Sequence, residues 1–180
     1  MVSHMQGPTI PEGYHIERPN REKAASKANK MIVILLLIVS AVLMAIVTIG
    51  GWTRLAGMQP VQIGYLLLYL VMAYYVARWN RGVLPIAAAL AIILGIFALI
   101  AGPEWFARDK TGYSSPALPE SVVGLVTLLI VPVQLLLIAF SMRGFQQEWS
   151  VEVEVPDGQH YHPGMFDEPD SDSSGAPATA

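Results

Sequence analysis

The sequence predicts an all-α membrane protein, a helical bundle of four transmembrane helices. Three observations carry that reading: four long apolar runs without a charged residue or histidine, tryptophans near the ends of those runs, and a one-sided distribution of Lys and Arg. The charge-free runs are 31–53, 55–77, 82–103 and 121–142. A hydrocarbon core of roughly 30 Å takes about 20 apolar helical residues to cross, so each run is long enough. The chain is 53% hydrophobic and 14% charged, against about 25% charged in an average soluble domain.

The helices are expected at about 31–51, 62–77, 83–101 and 121–142. The first is rich in Ile, Leu and Val, with Ser40 and Thr48 as its mid-span polar groups. Because its apolar run exceeds 20 residues and follows a polar leader, it reads as a retained anchor; a signal peptide has only about 7–15 apolar residues. Residues 21–30 contain strong helix formers that extend it inward, and residues 1–20, with Pro8, Pro11 and Pro19, are expected to be disordered. The second helix is the shortest. It carries Tyr65 and Tyr69, four apart and therefore on one face. Such a stripe packs against a neighbouring helix or stacks on a flat ligand. The third has Ala87, Ala91 and Gly95 at four-residue spacing, continuing to Ala98 and Gly102. Small residues let two helix backbones approach closely; the partner is the second helix, the fourth, or another subunit. The fourth has Pro132 mid-span, where a lost backbone bond favours a kink. Gln134 beside it is the strongest polar group in the spans and is expected to hydrogen-bond across to a facing helix.

Trp52, Trp79, Trp105 and Trp149 are expected as interfacial anchors, because the indole prefers the headgroup level. With four spans both termini share a side. If that side is the cytoplasm it holds Arg18, Arg21, Lys23, Lys27, Lys30, Arg78, Arg81 and Arg143, against Arg54, Arg108 and Lys110 opposite. The positive-inside rule then places both termini in the cytoplasm. The organisation is a basic N-terminal segment (1–30), a transmembrane domain (31–142) with an outer loop at 103–120, and an acidic tail (143–180). Within that tail residues 151–180 carry seven acids and no Lys or Arg. Val151 to Val155 alternate in polarity as a short strand would, and a lone strand needs a partner. His160 and His162 lie near Asp167 and Glu168, in a segment too rich in Pro, Gly, Ser and Asp to fix a metal geometry. Residues 167–180 are expected to be disordered.

Gly50-Gly51-Trp52-Thr53-Arg54-Leu55 resembles the Gly-Gly-x-Thr-Arg-Leu segment of haem A synthases, over six residues of 180. That family has about twice as many helices and ligates haem through membrane histidines. Here His4, His15, His160 and His162 all lie in the polar ends. What the resemblance leaves is an arginine at the membrane surface, suited to a phosphate or a propionate or simply snorkelling.

The missing intramembrane charge excludes further classes. Haem ligation within the spans needs axial ligands. Small four-helix proton antiporters depend on a glutamate in their first helix, and a Schiff-base protein needs a membrane lysine. The chain has no cysteine, which removes thiolate catalysis and Cys-ligated metals. The expectation is a non-catalytic integral protein of a bacterial plasma membrane, without cofactor or metal. Its partners are the lipid bilayer and other membrane subunits, not nucleic acid. It reads as an accessory or structural subunit of a larger complex, such as a respiratory one, and resembles small four-helix subunits of respiratory oxidases in size. The alternative is a pore or carrier for a small neutral or lipid-like solute.

Overall fold

A computed structural model describes residues 13–55, 57–107 and 117–160. Asn20–Ser150 form one compact unit, and the described parts of the flanking segments form a second.

Among the described residues, four helices are long and apolar enough to cross a membrane: α2 (Ala24–Gly50), α3 (Gln59–Ala77), α4 (Val83–Ala107) and α5 (Glu120–Gln146). A short helix α1 (Pro19–Glu22) precedes them. The expected spans are all present, and each is longer than expected. α2 begins seven residues early because Ala24, Ala25, Lys27 and Ala28 are good helix formers. α3 starts at Gln59, with Pro60 in the first turn, where its missing N–H is no loss. The tight connection to α4 is closed by Asn80, whose Oδ1 accepts the Gly82 N–H at 3.1 Å.

The largest boundary difference is at the C-terminal end of α4. The loop was expected from residue 103, yet the helix runs through Pro103 to Ala107. An interior proline costs about 3 kcal/mol. Burial of the Trp105 ring, 4% exposed, offsets that cost and holds the last turn against the bundle. Residues 108–116 of the expected loop lie outside the described residues.

α4 packs along α5, and α2 packs along both α3 and α5, while α3 and α4 meet only briefly. The small-residue stripe of α4 faces α5. Ala87, Ala91 and Ala98 are buried, and a methyl added at Gly102 would sit 2.4 Å from Leu128 of α5. The stripe therefore serves packing within the chain. At Gly95 a methyl would meet the Gln134 Cβ at 3.6 Å, an ordinary contact, so close approach does not demand glycine there. Pro132 lies inside α5 on its exposed side.

The second unit is an antiparallel pair, β1 (Tyr14–Glu17) with β2 (Val153–Pro156), in the register His15 opposite Val155 and Glu17 opposite Val153. Two expectations change here. The strand near 151–155 finds its partner in the chain's own N-terminal segment, and residues 13–20 are ordered as strand and helix. Side chains reinforce the pairing: Arg18 bonds Glu152, and His160 Nδ1 lies 2.8 Å from Glu17 Oε1. The all-α expectation thus holds for the membrane-crossing part, and the terminal segments add this sheet. Residues 1–12, His162, Asp167, Glu168 and the tail to 180, for which the sequence also gives expectations, fall outside the described residues.

Candidate functional site

Two features of the bundle carry chemistry: a polar network at its centre and a cleft towards the end where α3 begins and α4 ends.

Gln134 of α5 is 1% exposed and joins three helices. The Tyr69 hydroxyl of α3 donates to Gln134 Oε1 at 2.9 Å. Gln134 Nε2 donates to Ser40 Oγ of α2 at 2.9 Å. Ser40 in turn donates to the Leu36 carbonyl at 2.7 Å. An unpaired amide in hydrocarbon is costly, and here both ends of the amide are bonded. The sequence expectation that Gln134 reaches a facing helix is met, and Tyr69 proves to be one of its partners. Tyr65 stands edge-on to Tyr69, with ring centroids 6.2 Å apart, and turns towards the cleft instead.

The network makes a quantitative prediction. Gln134→Leu leaves the Tyr69 O–H without its acceptor and removes two interhelical bonds. It should destabilise the bundle by about 1–2 kcal/mol, whereas Tyr69→Phe, which removes one bond, should cost about 0.6 kcal/mol. Thermal unfolding in detergent reads both; equal effects would contradict a bridging role for Gln134.

The cleft lies where α3 and α4 diverge and has a volume of about 410 Å³, within the roughly 300–1,000 Å³ range of ligand pockets. Its walls are largely apolar, including Leu55, Met58, Leu94, Phe97 and Ile130. A few polar groups interrupt them: Arg54, Gln62, Tyr65, Glu104 and Thr127. The Thr48 hydroxyl lies 2.6 Å from Gln62 Oε1 and 2.7 Å from the Met44 carbonyl. Thr127 donates back to the Val123 carbonyl at 2.7 Å.

Arg54 and Glu120 form an ion pair that sequence reading missed. Arg54 Nε lies 3.0 Å from Glu120 Oε1, with side chains only 17% and 6% exposed. Glu120 also sits in the first turn of α5, where the helix dipole favours an anion. Arg54 reads as a surface residue when its helix end is considered alone. The available signal was the opposite charge at the start of the fourth span. The neighbouring glycines of the same segment have packing roles. A methyl at Gly50 would lie 2.6 Å from Leu118, and one at Gly51 would lie 2.5 Å from the Trp105 ring.

The tryptophans divide. Trp52 is 49% exposed, as an interfacial ring should be. Trp105 is buried beside Gly51 and Gly124. Trp149 is fully buried and meets Trp79 edge-on at 5.3 Å, and Lys30 Nζ lies 4.1 Å from the centre of the half-buried Trp79 ring. Trp105 and Trp149 therefore act as internal packing residues, because glycines on neighbouring segments open slots for their rings.

Comparisons with protein-family models, curated proteins and solved structures return no match. The six-residue likeness to haem A synthases thus has no family match behind it, and packing and the ion pair account for Gly50, Gly51 and Arg54.

Proposed function

We propose that this chain is a non-catalytic accessory subunit of a larger complex in a bacterial plasma membrane, with both termini in the cytoplasm. The observation that carries the reading is the central network: Tyr69, Gln134 and Ser40 satisfy one another. An intramembrane ionisable residue is the usual mark of transport or catalysis, and the mid-span runs carry none. What the bundle offers its surroundings is apolar surface. Leu67, Leu70, Val71 and Tyr74 of α3 and Ile92, Ile96 and Leu99 of α4 are exposed. A respiratory complex is one setting that suits a small four-span subunit.

The pore alternative fits less well. Ala87, Ala91, Val33, Leu37 and Leu137 fill the bundle interior around Gln134, which leaves no polar stripe to line a path. A carrier for a lipid-like solute keeps one supporting observation, the outer cleft.

Extraction in a gentle detergent followed by mass spectrometry tests the accessory role. Stoichiometric recovery of the chain with other membrane subunits is expected; a clean homo-oligomer would sink the proposal. The orientation is tested separately, since the chain has no native cysteine. An impermeant maleimide added to intact cells should label Thr53→Cys and spare Ser150→Cys; the reverse pattern inverts the topology.

A further inference from the structure

We infer that the outer cleft between α3 and α4 binds a neutral amphiphile whose flat head carries carbonyl-type acceptor oxygens, as a membrane quinone does. The inference does not depend on the accessory role, since a subunit and a free-standing protein can each hold such a molecule.

Shape comes first. Lipid-filled bundles close where helices pack, and here α3 and α4 stay apart along a cleft of about 410 Å³. Phe97 and Ile100 flank it and are themselves exposed on α4. An apolar tail leaving the cleft there passes into the bilayer without meeting a polar group.

The polar groups then set the head. Gln62 engages Thr48 through its Oε1, which leaves its Nε2 hydrogens to donate. Tyr65, one turn further along α3, adds an O–H donor to the same wall. Two donors on one helix face, three residues apart, match an acceptor-bearing head. The Tyr65 and Trp105 rings on the cleft wall suit a flat head, since aromatic rings prefer offset or edge contacts with one another.

Charge excludes the obvious competitor. Arg54 is held by Glu120, and Glu104 also lines the cleft. Among the described residues one cation stands against two anions at the mouth, a balance that disfavours an anionic phospholipid head.

The test uses the full chain in phosphatidylcholine nanodiscs with decylubiquinone as the probe. Saturable quenching of tryptophan fluorescence is expected. Tyr65→Phe and Gln62→Leu should each weaken binding about tenfold, the loss of one hydrogen bond. Ala101→Phe, which fills the cleft from α4, should abolish saturation while the helical circular dichroism stays unchanged. Three outcomes overturn the inference: quenching that never saturates, unchanged affinity in Ala101→Phe, or displacement of the quinone by phosphatidylglycerol. Should Tyr65→Phe unfold the protein, Ala101→Phe decides alone.

Discussion

Replacing Trp149 with alanine should destabilise the bundle by about 3–5 kcal/mol, the cost of truncating a fully buried tryptophan. The ring has no exposed surface. It meets Trp79 edge-on, and Gly144 leaves it so little room that an added methyl would lie 3.1 Å from Trp149 Cζ2. Its indole N–H donates to Gln147 Oε1 at 3.1 Å, and its backbone carbonyl accepts from Arg21 Nε at 2.9 Å. Removing the ring therefore opens a cavity at a point where the N-terminal end of α2, the α3–α4 turn and the end of α5 converge. Trp52→Ala is the control. That ring is about half exposed, and its loss should change stability by about 0.5 kcal/mol or less. Reversible unfolding in a mixed micelle, followed by circular dichroism, separates the two. Similar losses at both positions would mean that Trp149 is an interfacial ring after all.

Glu120→Gln should cost about 3 kcal/mol, because it removes the carboxylate charge that faces Arg54 at 3.0 Å in a largely buried setting. Arg54→Met should cost a similar amount for the mirror reason. The double variant should recover much of either loss, since a neutral amide facing a thioether needs no counter-charge. The coupling energy from this double-mutant cycle is the informative number. A value near zero would show that the two groups are independently solvated. The pair also ties the segment after α2 to the start of α5, so its loss should loosen that end of the bundle first. Backbone hydrogen exchange near Leu118, whose N–H donates to the Gly50 carbonyl, would register that.

The spans were legible because exclusion of charge from hydrocarbon is a local property that each run displays by itself. Their ends were less so. Pro103 is a stop signal when read locally, and only the slot that Gly51 and Gly124 make for Trp105 explains why the helix continues past it. Gln134 was legible as a residue that must bond, since a mid-span amide leaves no alternative. Its partners, Tyr69 and Ser40, lie 65 and 94 residues away and follow only from how the helices pack. The same holds for β1 and β2, where His15 pairs with Val155 across almost the whole chain. Trp149 misled for a related reason: a tryptophan just past a span reads as a membrane anchor until the packing around it is known. The cleft left no mark in the sequence at all, because it arises from the divergence of α3 and α4.

The central claim is that this protein works through contact with other membrane proteins, and photo-crosslinking in living cells tests it most directly. A benzophenone amino acid at Leu67 or Val71, both exposed on α3, samples the apolar face in its native bilayer. The account predicts a discrete adduct with one or a few defined membrane proteins, at a yield that saturates with exposure. Adducts formed only with lipid, or only with a second copy of the chain, would contradict it.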